Sequence, residues 1–169
     1  MPRPIVTFVR LVDGFNRRVG TFTMYLVLVM MGILLYSSVS KAFLLPANWT
    51  LESAQFAMAA YFMLGGAFAM QTGDHVRMDL FYSGWSLRRR AAVDVVTAVA
   101  LITYLGFLLY GGISSTTYAI QYGEKSYSAW APYMWPIKVV MTFGALLMLL
   151  QALSNLIKDI AQVRGKPIA

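Results

Sequence analysis

The chain has 169 residues, of which 59% are hydrophobic and only 12% are charged, about half the charged fraction of an average soluble domain. So few charged side chains cannot cover a chain of this size in water. An ordinary soluble domain is therefore excluded, and lipid is predicted to cover most of the surface. The net charge of +7 does not indicate nucleic-acid binding, because the basic residues lie between long apolar runs. Since cysteine is absent, disulfides, thiolate metal sites and cysteine nucleophiles are excluded.

Four stretches contain no Asp, Glu, Lys, Arg or His: 19–40, 53–73, 95–123 and 139–157. About 20 helical residues span the roughly 30 Å hydrocarbon layer, and a helix satisfies its own backbone groups there. The third stretch is too long for one span and turns polar toward its far end, so its span is placed near 93–117. The sequence predicts one all-α membrane domain, residues 1–169, with spans at about 19–40, 53–73, 93–117 and 137–158.

Aromatic and basic residues give the orientation. All four tryptophans lie outside the uncharged stretches, as expected for a belt at the membrane surface. Eleven basic residues lie at the termini and in the middle loop, whereas Lys41, Lys125 and Lys138 lie on the other side. Because the basic excess marks the cytoplasmic side, both termini and the middle loop are predicted to be cytoplasmic.

Two segments flanking the spans have amphipathic patterns. Apolar residues between Ile5 and Val19 recur every three or four positions beside arginines, which predicts an N-terminal helix lying in the cytoplasmic interface. A disordered basic tail is the alternative, whereas a cleaved signal peptide is disfavoured because the following apolar run is too long. Ser86 is a predicted N-cap for a helix starting at Leu87, which gives the third span a short amphipathic cytoplasmic start.

The uncharged stretches lack the residues that mark a proton or substrate path. Glu52 and Glu124 are predicted in outer loops, and Asp94 at a helix end. The lone histidine, His75, excludes bis-histidine haem within one copy, and no nucleophile or metal-ligand spacing is found. The sequence therefore predicts no enzyme activity, no cofactor and no metal.

Small and polar residues within the spans suggest helix packing. Gly65 and Ala69 stand four apart in the second span, with Gly66 beside them, and Gly112 and Thr116 stand four apart in the third. This spacing lets another backbone approach closely, although ordinary packing within the bundle explains it equally well. Five polar side chains are predicted to bond between helices on the same terms: Gln55, Gln71, Thr97, Thr103 and Gln151.

The densest polar run, from Gly73 to Asp79, follows the second span. Its chemistry suits anchoring, because Gly73 can end the helix and the charged side chains can reach lipid headgroups or a neighbouring subunit. The alternative is a solvated cytoplasmic turn. The predicted anchoring and partner motif comprises Asp74, His75, Arg77, Asp79, Arg88, Arg89 and Arg90.

The stretch from Gly73 to Asp94, GDHVRMDLFYSGWSLRRRAAVD, resembles the signature of the small membrane subunit of tripartite ATP-independent periplasmic (TRAP) transporters, the DctQ type. The matching residues are Gly65, Gly66, His75, Val76, Arg77 and Asp79, with Met78 in place of the commoner valine. The second outer loop, from Tyr122 to Lys138, also resembles the family in the positions of Trp130, Pro132, Trp135 and Pro136.

The resemblance implies a scaffold in the bacterial inner membrane that pairs with a large transport subunit. Such transporters import organic acids, often carboxylates, with sodium, and a periplasmic solute-binding protein delivers the solute. The residues expected to face that protein on the outer side are Trp49, Glu124, Trp130, Tyr133 and Trp135. The alternatives are a small self-associating four-helix exporter, an unrelated membrane scaffold and, more weakly, an electron-transfer anchor.

Overall fold

The computed structural model describes residues 3–43, 47–73 and 87–163. Within these ranges the chain forms four helices: α1 (Arg3–Phe43), α2 (Trp49–Thr72), α3 (Leu87–Tyr122) and α4 (Trp135–Val163). Each helix is long and apolar enough to cross a membrane. The fold is therefore the predicted all-α architecture with four candidate spans, and α3 begins at Leu87 as predicted.

Helix α1 has 41 residues without a break and is about 60 Å long. The N-terminal segment is thus a continuation of the first span and not a separate helix. Val9 and Val12 are buried in the protein, so these two members of the apolar stripe pack on other residues of the chain and not on lipid. The interfacial position of the segment stays a prediction.

The four helices do not form a closed bundle. Helix α4 packs against α1, α2 and α3, whereas α3 packs mainly on α4 and α1 packs on α2 and α4. Accordingly, α4 buries the largest share of its residues, including Ala145, Leu147 and Ala152. Helix α3 lies at one flank, so most of its circumference is left uncovered by the described protein.

Glycines in the left-handed conformation end two of the helices. Gly73 follows α2 with a φ of 75°, as its position in the sequence predicts, and Gly123 follows α3 with a φ of 58°. The outer loop after Gly123 then folds back, with the Met134 amide donating to the Glu124 carbonyl at 2.9 Å. This loop, residues 123–134, is hereafter called the outer loop, after the side of the membrane that the sequence predicts for it.

Two acidic residues lie elsewhere than predicted. Glu52 is in the first turn of α2 and is buried, so its predicted placement in an outer loop is wrong. A carboxylate is favourable there, because the exposed N–H groups of a helix start carry partial positive charge. Asp94 lies inside α3, two turns beyond the start of that helix, and not at a helix end.

Candidate functional site: interhelical polar clusters and exposed surfaces

Asp13 of α1 receives three side-chain hydrogen bonds from α4. Lys158 Nζ donates to Asp13 Oδ2 at 2.6 Å, in a salt bridge that is mostly shielded from solvent. Gln151 Nε2 and Ser154 Oγ donate to Asp13 Oδ1 at 3.0 and 3.2 Å. A carboxylate with both oxygens occupied is held in one orientation, so Asp13 fixes the register of α1 against α4.

Amide side chains extend this arrangement to α2. Asn16 Nδ2 donates to Gln151 Oε1 at 2.7 Å, and Gln151 Nε2 also donates to Asn155 Oδ1 at 3.1 Å. Asn155 Nδ2 donates to the Met70 carbonyl at 3.0 Å, and Gln71 Nε2 donates to the Asp13 carbonyl at 3.2 Å. Three helices are thereby joined. The seven residues of this inner polar cluster are Asp13, Asn16, Gln71, Gln151, Ser154, Asn155 and Lys158.

The inner polar cluster is buried to a degree that makes its hydrogen bonds important. Gln151 and Ser154 have no exposed surface, so losing a partner there would leave a polar group without water. Among the described residues, Asn16 Oδ1 and Gln71 Oε1 are buried without a partner. The hydrogen bonds of this cluster run between side chains and carbonyls of α1, α2 and α4. The inner polar cluster is therefore a structural clasp that holds these three helices together.

A second cluster lies at the opposite end of the helices. Lys138 Nζ forms a salt bridge with Glu124 Oε2 at 2.5 Å, which ties the start of α4 to the outer loop. Ser126 Oγ donates to Glu52 Oε1 at 3.4 Å, and Glu52 Oε2 is buried without a partner among the described residues. These contacts fasten the outer loop to both α2 and α4.

The predicted packing residues lie at or beside close helix contacts. A Cβ on Gly66 would approach Met148 Sδ to 2.7 Å, and one on Gly65 would meet Thr23 Cγ2 at 3.5 Å. Gly112 faces Thr142, whose hydroxyl lies 3.0 Å from that of Thr116. Ala69 lines the groove between α1 and α2. The pattern therefore marks contacts within this chain.

An equally close approach, made against backbone, was missed by the sequence analysis. A Cβ on Gly144 of α4 would lie 2.7 Å from the backbone oxygen of Met63 in α2. Met63 offers backbone, not a movable side chain, at this point, so only glycine fits there. A lone glycine in a membrane span carries too little signal for this role to be recognised from sequence.

Aromatic side chains crowd the outer end. Trp49 packs on Tyr36 with ring centroids 5.6 Å apart, and Lys125 Nζ lies 4.8 Å from the centre of the Tyr133 ring. Trp130 and Trp135 are exposed, and Glu124 is engaged by Lys138. The predicted outer interface residues therefore lie in α2, the outer loop and the start of α4, and they form no single polar site.

The predicted anchoring and partner motif is not brought together by the described structure. Asp74, His75, Arg77 and Asp79 lie outside the described residues. Arg88, Arg89 and Arg90 form the first turn of α3, of which only the backbone is described. The role predicted for this motif stays a prediction.

Of the polar residues predicted to bond between helices, Gln71 and Gln151 are confirmed. Thr103 instead donates to the Val99 carbonyl of its own helix, because a threonine hydroxyl reaches the carbonyl four residues earlier. Thr97 likewise donates to the Val93 carbonyl. Gln55 is exposed on α2.

The inner polar cluster was mostly missed, although the sequence carries a signal for it. Asp13 and Asn16 stand three apart, and the polar residues of α4 recur at three- and four-residue spacing: Gln151, Ser154, Asn155 and Lys158. Such spacing puts each set on one helix face. The sequence did not indicate that the polar face of α1 packs against the polar face of α4.

The clusters offer attachment between helices and not reaction chemistry. Within residues 3–43, 47–73 and 87–163, no group of three or more His, Cys, Asp or Glu side chains could hold a metal ion.

Two open apolar grooves lie between helices: one of about 390 Å³ beside α3 and α4, and one of about 600 Å³ beside α1 and α2.

Four helices that are long and apolar enough to cross a membrane define the class: a multi-pass helical membrane protein. A family model described as "Tripartite ATP-independent periplasmic transporters, DctQ component" matches residues 8–162. The chain belongs to this family, and it is a small membrane subunit of a TRAP transporter and not an enzyme. Comparisons with curated proteins and with solved structures give no match.

Proposed function

We propose that this chain is a passive scaffold that pairs with the large subunit of a sodium-coupled importer of organic acids of the carboxylate class. The large subunit carries the solute and the sodium, and a periplasmic solute-binding protein supplies the solute. Support comes from the family match over residues 8–162 and from the uncharged middle of all four spans. A proton path through the spans would need ionisable groups there.

The observation that carries this proposal is the position of the paired charges. Asp13 pairs with Lys158 and Glu124 pairs with Lys138, and both pairs lie outside the four uncharged stretches. Each pair is satisfied inside this chain, so these charges hold α1 to α4 and the outer loop to α4. A rigid neighbour of this kind gives a moving transport domain a fixed partner in the membrane.

The proposed location is the bacterial inner membrane, with both termini in the cytoplasm. The basic residues at the two termini and in the middle loop support this orientation. In it, the motif from Asp74 to Arg90 faces the cytoplasm and contacts the large subunit or anionic lipid. The exposed aromatic side chains of the outer loop then face the periplasm, where the solute-binding protein docks.

The direct test is to purify the chain with an affinity tag from native membranes. We expect the large membrane subunit to co-purify with it in mild detergent. Recovery of the chain alone, or only with further copies of itself, would contradict the scaffold function and favour the self-associating exporter. The natural complex is used, so no isolated fragment has to fold.

A further inference from the structure

Three arginines on the N-terminal part of α1 are exposed without a charge partner: Arg10, Arg17 and Arg18. Within residues 3–43, 47–73 and 87–163, their guanidinium groups form no ion pair and no side-chain hydrogen bond. The only acidic residue of α1 is Asp13, and both of its carboxylate oxygens are occupied by side chains of α4. The positive charge of this helix is therefore not compensated by the described protein.

Most of the lysines with described side chains are engaged by their own chain. Lys138 and Lys158 form salt bridges, and Lys125 lies over the ring of Tyr133. Lys41 is exposed as a single charge at the far end of α1. Among the described side chains, unpaired positive charge is thus concentrated on the N-terminal part of α1.

The packing of α1 fixes the direction in which the arginines project. At 100° per residue, Arg10 and Arg17 lie within about 20° of each other around the helix, with Gly14 close to them. Val12 and Asn16 lie about 100° or more away from these two arginines, and both are buried. Because the inner polar cluster also holds this part of α1 against α4, the arginines extend from a fixed helix and not from a free tail.

Gly14 leaves room between the two arginines of this side. A Cβ on Gly14 would meet no atom within 4 Å. Arg10 and Arg17 are about 10 Å apart along the helix axis, so their long side chains can close on one group that lies over Gly14. The paired N–H donors of a guanidinium match the oxygens of a phosphate. The arginine stripe is defined by these residues: Arg10, Gly14, Arg17 and Arg18.

Exposed apolar side chains lie beside the arginine stripe. Leu11 is 67% exposed and Phe22 is 63% exposed, and the two lie within about 20° of each other around α1. Leu11 is about 12 Å from Val19, where the uncharged stretch begins. Water around this surface would leave apolar area exposed, whereas hydrocarbon alone would leave the guanidinium groups without hydrogen-bond partners.

An anionic phospholipid satisfies both requirements in one molecule. Its phosphate accepts hydrogen bonds from guanidinium groups, and its acyl chains cover Leu11 and Phe22. Arg17 and Arg18 directly precede the uncharged stretch, which is the level where headgroups meet hydrocarbon and where basic clusters attract anionic lipid. An acidic soluble protein would pair with the arginines but leave the apolar side chains uncovered.

We propose that the arginine stripe binds the headgroup of an anionic phospholipid, with an acyl chain lying along Leu11 and Phe22. The bound lipid holds the N-terminal part of α1 at a fixed depth in the membrane. This inference goes beyond the proposed function, because the site is formed by α1 alone and needs no large subunit.

Lipid titration of the delipidated full chain in an uncharged detergent tests the site. The unfolding temperature is measured against added phosphatidylglycerol, against phosphatidylcholine with the same acyl chains, and against inorganic phosphate. We expect phosphatidylglycerol to raise the unfolding temperature until the site is saturated, as a ligand of the folded state does. The other two probes should have little effect. Equal responses to the two lipids, or an equal response to inorganic phosphate, would overturn the proposal.

Two double variants separate this site from the net charge. Arg10→Gln combined with Arg17→Gln should weaken the apparent affinity for phosphatidylglycerol by about tenfold or more, because two headgroup contacts are lost. Lys41→Gln combined with Lys125→Gln is the matched control, since it removes the same charge from exposed positions at the other end of the helices. It should change the affinity by less than about twofold. An equal loss in both double variants would overturn the assignment to the arginine stripe.

A glycine substitution tests the space over the helix. Gly14→Leu fills the room between the arginines without removing a charge, and Gly32→Leu is its control, because a Cβ at either position meets no atom within 4 Å. We expect Gly14→Leu to weaken the affinity for phosphatidylglycerol at least about threefold and Gly32→Leu to leave it unchanged. Equal affinities for these two variants would contradict a headgroup seated over Gly14.

The assembled complex distinguishes lipid from the large subunit as the neighbour of the arginine stripe. We expect the variant with Arg10→Gln and Arg17→Gln to retain its yield of co-purified large subunit within about twofold. A loss of large subunit with an unchanged affinity for phosphatidylglycerol would assign the arginine stripe to that subunit and overturn the lipid site. If the unsubstituted chain captures no large subunit but still binds phosphatidylglycerol at this stripe, the proposed function fails and the lipid site stands.

Discussion

Asp13 accepts hydrogen bonds from three side chains of α4, although 138 to 145 positions separate it from them. The salt bridge with Lys158 is mostly shielded from solvent. A charge in such a place is tolerated because its partner is present, and it becomes costly once the partner is removed. The inner polar cluster therefore acts as a clasp whose members depend on each other.

A double-mutant cycle on this pair measures the clasp. We expect Asp13→Ala and Lys158→Ala each to lower the unfolding temperature in detergent, and the double variant to be less destabilised than the sum of the two. The coupling should be about 1–3 kcal/mol, because each single change leaves one charge without its partner. Lys41→Ala, at the far end of α1, is the control. Strict additivity would show that the pair does not act as a clasp.

At the residues after α2, charge is expected to serve assembly. Arg77→Glu and Asp79→Lys should each lower the yield of large subunit that co-purifies, by about threefold or more, because like charges at a contact oppose association. Lys166→Glu, near the C-terminus, is the matched control. Unchanged yield for both variants would remove these residues from the interface and leave a solvated turn.

Single residues were the hardest level to predict. Gln151 was identified as an interhelical group, because a glutamine inside an uncharged span needs a partner. Lys158 was counted among the basic residues of the C-terminus, since a residue near a span end satisfies the positive-inside pattern whether or not it pairs, and Asp13 was not singled out. Only their position in space distinguishes a clasp from a solvated end.

Between elements, close approach sets the packing of α2 on α4. A Cβ at Gly144 would lie 2.7 Å from the Met63 backbone oxygen, whereas one at Gly66 would meet the Met148 thioether at the same distance. Backbone cannot yield without moving the whole helix. A methionine side chain can change its rotamer. The two glycines thus approach the neighbouring helix equally closely, but a larger residue is tolerated better at Gly66 than at Gly144.

Alanine substitution separates these two contacts. We expect Gly144→Ala to destabilise the protein by about 2 kcal/mol or more, because it forces α2 and α4 apart, and Gly66→Ala by clearly less. The measurement is the unfolding temperature of each purified variant in the same detergent. Gly32→Ala, with open space around it, is the control. An equal loss at both contact positions would contradict this difference.

The helices themselves were predictable because length and lack of charge determine them. A segment without water must close its backbone hydrogen bonds internally, and each of the four stretches is long enough to do so. The continuity of α1 was not predicted, because the change from basic to apolar residues near Val19 marks a boundary of environment and not of conformation. The burial of Glu52 was likewise not predicted, because it involves contacts with a distant loop, such as the hydrogen bond from Ser126.

On the scale of the whole molecule, the open arrangement of helices is the consequential feature. Helix α4 lies among the other three, and α3 is attached at one flank. Such a shape exposes more lateral surface than a closed bundle of the same helices. It suits a subunit that broadens a larger assembly, and neither hydropathy nor motif spacing could reveal this order of helices.

The proposed orientation of the molecule rests on the distribution of its basic residues and is directly measurable. Because the chain has no cysteine, a single introduced cysteine reports its own side. We expect Tyr127→Cys, in the exposed outer loop, to react with a membrane-impermeant maleimide in intact cells. Ile168→Cys should react only after the membrane is opened. The opposite pattern would reverse the assigned topology.

The central claim is that this chain supports transport without carrying the solute. The most direct test compares proteoliposomes holding the chain alone with proteoliposomes holding the complete complex and its solute-binding protein, under an inward sodium gradient. The complete system should accumulate an organic acid, and the chain alone should show no uptake above empty vesicles. Solute uptake by vesicles that contain only this chain would contradict the claim.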